Sequence, residues 1–159
     1  MQSGKVKRMS VALLAPVPEE HLLSGRATVS EVGKVAFGSK NWELFNKLAE
    51  LLKDDECEVL LYASDAIRPL NPPTATWSAR FVGFNVAVNG AHKHGMKYRP
   101  QSTKKYQLDN QGNWTVFWEV KNLQTIRPGL KISLLRGFEK PHAYLKNFIP
   151  KGPVLIQAV

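Results

Sequence analysis

Cysteine is nearly absent from this chain, which has one, Cys57, among 159 residues. A single cysteine forms no intramolecular disulfide, and without a second one no CxxC pair can build a structural zinc site. Because Cys57 opens an apolar run, we expect a buried and unreactive thiol. The scarcity of cysteine therefore excludes a disulfide framework and a cysteine-based zinc site.

Sequence motifs of several enzyme classes are missing as well. The chain has no glycine-rich loop with the spacing that cradles a nucleotide phosphate, and no Gly-x-Ser-x-Gly elbow. Both absences argue against a nucleotide-hydrolysing or dinucleotide-dependent enzyme, and we expect no cofactor.

Long apolar runs are also missing. Basic residues precede a short apolar run at residues 10–15, as they do in a signal peptide, but the run is too short and Pro16 ends it. No window approaches the length of a membrane span. We therefore predict a soluble, cytoplasmic protein without a membrane partner, in which residues 1–9 form a flexible basic tail.

The most informative absence is that of carboxylates from residues 66–108. The same stretch holds seven cationic side chains with aromatic rings among them: Arg68, Arg80, Lys93, Lys97, Arg99, Lys104 and Lys105, with Trp77, Tyr98 and Tyr106. Cations can meet phosphates, and rings can stack on bases. A solvated loop that is merely basic would have the same composition, so this stretch favours a nucleic-acid surface without deciding it.

Charge is distributed unevenly along the chain, whose formal net charge is +9. Acidic residues concentrate just before the carboxylate-free stretch: Glu43, Glu50, Asp54, Asp55, Glu56 and Glu58. This asymmetry predicts a molecule with an acidic side and a basic side, and the excess of positive charge favours polyanionic partners.

Apolar periodicity predicts one clear helix, at residues 39–53, with Ser39 or Asn41 as its N-cap. Its apolar stripe comprises Trp42, Phe45, Leu48, Ala49 and Leu52. Residues 19–23 are predicted to form one helical turn ended by Ser24 and Gly25, and residues 26–37 a strand or a loop.

Short apolar and β-branched runs predict strands at residues 10–15, 58–63, 76–88, 114–121 and 154–158, with a further candidate at 104–108. The predicted fold class is α+β: a small curved β-barrel of five to seven strands with one main α-helix and short flanking helices. We predict a single domain at residues 10–159.

Few individual side chains suggest chemistry. His92 and His94 lie two apart and could chelate a metal from one strand face, but no spacing supplies a third ligand, so we expect no metal. Trp77 follows a proline-rich loop and is the best candidate for stacking on a base. Trp42 on its helix stripe, and Trp114 with Trp118 on one strand face, are assigned to the core.

The order of motifs resembles that of a known superfamily. Residues 23–29, Leu-Ser-Gly-Arg-Ala-Thr-Val, are similar to the opening motif of ASCH domains, where a Gly-x-Lys-Thr-like run forms part of a pocket. Asn41-Trp42, the helix that follows and residues 59–64 resemble the EVE domain pattern. Later segments, at 114–123, 140–141 and 150–156, are similar in spacing to the back half of EVE and YTH domains. All three families belong to the PUA-like superfamily of small β-barrels flanked by helices.

This resemblance implies binding of RNA, or of a modified base, in a pocket between barrel and helix. Carried over by position, the pocket residues are Gly25, Arg26, Thr28, Ser39, Asn41, Trp42 and Ser64, to which we add Trp77. Some ASCH-like amidohydrolases use a lysine where this chain has Ala27, a departure that argues against hydrolysis of acetylated cytidine.

We therefore predict a nucleic-acid-binding module without catalysis, for which RNA is favoured over DNA. The predicted backbone contacts are Arg80, His92, Lys93, His94, Lys97, Tyr98, Arg99, Lys104 and Lys105. One alternative is a small hydrolase of a modified nucleoside, with Thr28 as nucleophile or orienting group and Glu119 as acid or base. Another is a protein-interaction module whose basic loop meets an acidic partner.

Overall fold

Six strands and two helices make up the chain in the computed structural model, which describes residues 10–140 and 142–159. The predicted basic tail at 1–9 lies outside the described residues. In chain order the elements are β1 (Val11–Pro18), α1 (Glu19–Val32), β2 (Val35–Ser39), α2 (Trp42–Leu52), β3 (Cys57–Ser64), β4 (Thr74–Val86), β5 (Val116–Lys131) and β6 (Val154–Gln157).

All six strands belong to one sheet, in the order β2-β5-β4-β3-β1-β6. β1 and β3 run parallel, and every other neighbouring pair is antiparallel. The α+β class is therefore confirmed, with a strand number inside the predicted range. The outermost strands β2 and β6 do not pair with each other, so the sheet is open and the predicted closed barrel is not confirmed.

The central strands β1 and β3 are buried on both faces, which explains why their sequences are continuous apolar runs. Leu13 and Val59 belong to the larger core, which also receives the apolar side chains of both helices. Leu14 and Leu60 point into a smaller core on the opposite face, closed by Ile132 and Leu135. Both helices thus cover the same face of the sheet.

The prediction of a single helical turn at residues 19–23 was wrong, because α1 runs for 14 residues. Gly25 does not end the helix; it lies within it, where a Cβ would come within 3.3 Å of both Leu123 and Phe37. The helix ends at Gly33 instead, whose φ of 92° is left-handed and whose N–H donates to the carbonyl of Val29. The single predicted main helix is therefore one of two.

α2 confirms the helix predicted at 39–53, with a later start. Asn41 is the N-cap, and its side-chain oxygen accepts a hydrogen bond from the backbone N–H of Leu44. Phe45 and Leu48 are buried, but Trp42 in the first turn is 44% exposed, so its assignment to the core was wrong. Phe45 and Leu48 pack against the sheet, whereas Trp42 and Glu43 in the first turn are exposed.

Residues 104–108, a candidate strand from the sequence, are not a strand. Residues 104–106 lie between two 3-10 turns, Gln101–Thr103 and Gln107–Asp109, and residues 107–108 belong to the second, in an irregular segment that links β4 to β5. Trp114 also precedes β5 rather than belonging to it. The alternation of Val116, Trp118 and Val120 on the core face is confirmed.

None of the helices in the described part of the chain is long and apolar enough to cross a membrane.

Gly38 in β2 provides a test of the packing at the sheet edge. A Cβ at this position would lie 2.3 Å from the ring of Trp114. Gly38→Ala must therefore displace the indole, and we expect the free energy of unfolding to fall by about 2 kcal/mol. Urea denaturation followed by tryptophan fluorescence measures the change.

The matched control for Gly38→Ala is Gly152→Ala, because a Cβ on Gly152 meets nothing within 4 Å. We expect this control to stay within about 0.5 kcal/mol of the wild type. Equal stability of the two variants would show that Trp114 does not occupy the space over Gly38.

Candidate functional site

A cavity with a volume of about 850 Å³ lies at one end of the sheet. α1 forms one wall, the loop at residues 65–73 a second, and β4 with β5 the floor. Three arginines from three different parts of the chain line it: Arg26, Arg68 and Arg127. The lining also includes one acidic residue and several aromatic, apolar and hydroxyl side chains: Glu19, Leu23, Tyr62, Ile67, Leu70, Thr76, Trp77 and Thr125. We call this site the arginine cavity.

The helical spacing of α1 sets one wall of the arginine cavity. Glu19, Leu23 and Arg26 are four and three residues apart, a spacing that places them on one helix face. The guanidinium carbon of Arg26 lies 5.1 Å from the ring centroid of Trp77. This cation-π contact holds the charge at a defined place over the floor.

The floor of the arginine cavity depends on the pairing of β4 with β5. Trp77 pairs with Thr125, and Arg127 lies two residues further along β5, on the same strand face as Thr125. The β4–β5 register shifts between Ala75 and Trp77. A register irregularity of this kind can turn successive side chains towards one site, and both Thr76 and Trp77 line the cavity.

The electrostatics of the arginine cavity are unbalanced. Among the described residues, none of its three arginines forms an ion pair with a carboxylate. Glu19 is the one acidic residue in the lining, so the cavity carries an excess of two positive charges. Unneutralised guanidinium groups in a concave site favour an anionic ligand.

A second cavity, which we call the acidic cleft, adjoins the first because Glu19 lines both. Its volume is about 400 Å³, and its lining includes Glu20, Asp65 and Asp109. His21 also lines it, with Nδ1 2.6 Å from the hydroxyl of Ser102. Burial lowers the pKa of His21 despite the opposing charge of Asp109, so the imidazole is neutral at physiological pH.

Arg99 occupies an internal position rather than the surface predicted for it, being only 2% exposed. Its guanidinium donates to the carbonyls of Ala36 and Asp109, at 2.6 and 2.8 Å, and to the side-chain oxygen of Asn110 at 2.9 Å. Burial lowers the pKa of Arg99 to about 10, which leaves it charged at neutral pH. With its donors satisfied internally, Arg99 does not face a phosphate.

His92 is likewise buried, 4% exposed, and belongs to a network around Glu119. His92 Nδ1 accepts from the backbone N–H of His94, so the ring proton lies on Nε2, which donates to Glu119 at 2.8 Å. Lys34 and Asn85 also donate to this carboxylate, at 2.9 and 3.0 Å. Burial raises the pKa of Glu119, but the hydrogen bonds from His92 and Lys34 outweigh it, and the pKa lies below its ordinary value.

The remaining predicted backbone contacts fall into two groups. Arg80 and Lys105 pair with Glu56 and Glu20, at 3.0 and 3.1 Å, and so are partly neutralised. The others are exposed and form no ion pair within the described residues: Lys93, His94, Lys97 and Lys104. We call these four residues the basic patch.

Tyr98, the remaining residue of the predicted contact set, lies beside the basic patch and is half-buried. Its ring contacts the amino groups of Lys34 and Lys97, at 4.7 and 5.1 Å from the centroid.

The structure does not bring the predicted pocket residues together. Of the eight, only Arg26 and Trp77 line the arginine cavity. The others line neither cavity: Gly25, Thr28 and Ser39 are buried, Asn41 caps α2, Trp42 is exposed beside it, and Ser64 ends β3.

The role predicted for Trp77 also changes. Its side chain is only 2% exposed, and it contributes to the larger core while Arg26 lies over its ring. Trp77 therefore packs beneath the guanidinium of Arg26 and is not an exposed ring on which a base could stack.

Two arginines of the arginine cavity, Arg68 and Arg127, were not predicted as site residues from the sequence. Arg68 belongs to the carboxylate-free stretch, so its charge was noticed although its position was not. Arg127 lies in β5, far from that stretch, and only the β4–β5 pairing places it beside Trp77. No local signal in the sequence marks it.

The geometry gives little support to the hydrolase alternative. Thr28 is buried, its hydroxyl lies within 3.3 Å of the carbonyl of Ser24, and it lines neither cavity. Glu119 is occupied by its three donors. In the described ranges, no group of three or more His, Cys, Asp or Glu side chains is arranged to hold a metal ion.

Comparison with known proteins identifies no relative: no protein-family model matches this chain, and no curated protein is significantly similar to it. The function proposed below therefore rests on the residues of the site.

Arg99→Lys tests whether this guanidinium is structural. Lysine keeps the positive charge but cannot reproduce the planar fork that serves three acceptors. We expect the free energy of unfolding to fall by about 3 kcal/mol, because buried acceptors lose their donors. Urea denaturation measures it, and Arg136→Lys, at an exposed position, is the control expected to change by less than about 0.5 kcal/mol. Wild-type stability of Arg99→Lys would contradict the internal role.

Glu119→Gln tests the buried carboxylate network. The amide places a donor among three donors, so at pH 7 we expect a loss of about 3 kcal/mol in unfolding free energy. Because the folded-state pKa of Glu119 lies below its unfolded value of about 4.3, its stabilisation is present above that value and is lost as pH falls through the folded pKa. The gap between wild type and variant should therefore narrow below about pH 4.

Urea denaturation at a series of pH values measures this effect of Glu119. Glu58→Gln, at an exposed position on β3, controls for the loss of one negative charge. A gap between wild type and Glu119→Gln that does not change with pH would mean that ionisation of Glu119 does not stabilise the fold.

Proposed function

We propose that this protein is a nucleic-acid-binding module that takes RNA in preference to DNA and has no catalytic activity of its own. In this proposal the basic patch contacts the phosphate backbone, and the arginine cavity receives one nucleotide, including a modified one. The base-recognition site thus moves from the neighbourhood of Thr28 and Trp42 to the end of the sheet.

The observation that carries this proposal is the distribution of unpaired positive charge. Two cations near the acidic segment, Arg80 and Lys121, are paired with Glu56. The cations of the basic patch and of the arginine cavity are left without carboxylate partners in the described ranges. Cations left unpaired on the surface of a basic protein favour a polyanionic ligand.

The shape of the surface supports RNA over DNA. Double-stranded DNA is read by an element that enters the major groove, most often a helix with a basic face. Neither helix has one: the exposed side of α2 carries Glu43 and Glu50, and α1 begins with Glu19 and Glu20. A concave site lined by unpaired arginines suits single-stranded RNA, whose unstacked bases can enter pockets.

Two finer proposals accompany this function. We propose assignment to the PUA-like superfamily, supported by the six strands and the two helices beside them, with the open sheet as an incomplete barrel. We also propose a cytoplasmic location, supported by the single cysteine, Cys57, which is free and buried.

The salt dependence of RNA binding tests the proposal. The log of the binding constant for a single-stranded RNA should fall linearly with the log of the salt concentration, with a slope of about −0.7 per phosphate contacted. Replacing Lys93, Lys97 and Lys104 together by Ala should make this slope shallower by about 2 and weaken binding to all sequences alike. Fluorescence anisotropy over a salt series measures both quantities.

The matched control removes the same charge elsewhere. Lys140, Lys146 and Lys151 are exposed and line neither cavity, so replacing these three by Ala should leave the slope close to that of the wild type. Equal losses in the two triple variants would mean that only net charge matters. Undetectable binding of RNA and DNA pools at low salt would overturn the proposed function.

A further inference from the structure

The three guanidinium groups of the arginine cavity come from α1, from the loop at 65–73 and from β5. Like charges that line one cavity repel one another. No carboxylate in the described residues pairs with Arg26, Arg68 or Arg127. An arrangement of this kind is stabilised when a ligand supplies the missing negative charge.

The amount of charge distinguishes between kinds of phosphate. Three arginines against Glu19 leave an excess of two positive charges in the lining. A phosphate within a strand is a diester with one negative charge. A terminal phosphate is a monoester, which carries about −1.5 to −2 at pH 7 and offers three acceptor oxygens. Three forked guanidinium groups match three oxygens and two charges better than they match a diester.

Further donors and walls suit the rest of a terminal nucleotide. Thr76 and Thr125, whose side chains carry hydroxyl donors, also line the arginine cavity. Ile67 and Leu70, 95% and 53% exposed, form an apolar rim that a sugar or a base could cover. A volume of about 850 Å³ is sufficient for one nucleotide.

The acidic cleft limits where a strand can go. It adjoins the arginine cavity through Glu19, and its other carboxylates are Glu20, Asp65 and Asp109. A phosphate backbone that ran through the cavity in this direction would pass three further negative charges. A strand that ends in the cavity avoids them, because it needs only one exit.

The geometry points to a specific ligand: the arginine cavity binds the terminal phosphate monoester of an RNA strand. This inference rests on the proposed nucleic-acid function and adds which part of the strand enters the cavity. The chemistry is common to a 5′-phosphate and a 3′-phosphate, so the experiment includes both.

The test compares three RNA oligonucleotides of one sequence, with a 5′-phosphate, with a 3′-phosphate, or with hydroxyls at both ends. We expect one of the phosphorylated forms to bind the full-length protein at least tenfold more tightly than the hydroxyl form, by anisotropy at fixed salt. Either end fulfils the inference and identifies the polarity of the strand. Affinities within twofold of one another for all three would overturn it, while leaving the proposed function standing.

Variants connect this preference to the arginine cavity. Arg68→Ala and Arg127→Ala should each reduce the terminal-phosphate preference at least fivefold, with little effect on the hydroxyl-ended strand. Arg68→Lys keeps the charge but loses the fork, so an intermediate preference is expected. Arg136→Ala removes an exposed arginine that lines neither cavity and should leave the preference unchanged. Equal loss in the two cavity variants and in Arg136→Ala would overturn the assignment.

Failure of the proposed function gives a different result. If none of the three oligonucleotides binds at low salt, the nucleic-acid function fails, and the inference fails with it. A serine-phosphorylated peptide is the comparison ligand in that case. Binding of this peptide, abolished by Arg68→Ala, would reassign the arginine cavity to phosphorylated proteins and overturn the inference for RNA.

Discussion

The buried guanidinium of Arg99 is the interaction on which the basic side of the molecule depends. It joins the edge strand β2, through the carbonyl of Ala36, to the irregular segment at Asp109 and Asn110. The backbone of Ala36 also donates to the carbonyl of Tyr98. A long segment without regular structure has few backbone hydrogen bonds of its own, so a side chain that supplies several donors at one point stabilises it effectively. Arg99 thereby holds in place the irregular segment that carries Lys97 and Lys104, whose side chains are exposed.

A consequence is that positive charge in this protein has two separate uses. Some cations form internal hydrogen bonds or ion pairs with carboxylates, as Lys34 does with Glu119 and Arg80 with Glu56. Other cations form no ion pair in the described ranges, among them those of the basic patch and the arginine cavity. The net charge of +9 is a total and does not show which cations are paired with carboxylates and which are not. The acidic cleft between α1 and the irregular segment adjoins the arginine cavity, and its carboxylates limit the path of a polyanionic strand.

Much of the fold could be predicted because its signals are local. The apolar runs of β1 and β3, the stripe of α2 and the alternation in β5 all correspond to observed elements. α1 was missed because Gly25 was taken as a terminator, whereas its lack of a side chain allows Phe37 and Leu123 to approach the helix. The candidate site was predicted less well, since Arg26 and Trp77 were the only pocket residues that the structure brings together.

The sequence by itself determined the α+β class, the strand pattern and the concentration of cations without carboxylates, because each follows from composition and short-range periodicity. Only the tertiary structure decided which of those cations are free to bind. Arg99 and His92 look like their exposed neighbours in the sequence, yet long-range hydrogen bonds to Ala36 and Glu119 bury them. Arg127 looks unrelated to Arg26 and Arg68, yet strand pairing and helix packing place all three around one cavity. Burial and convergence are properties of contacts between residues distant in the chain, and local patterns do not record them.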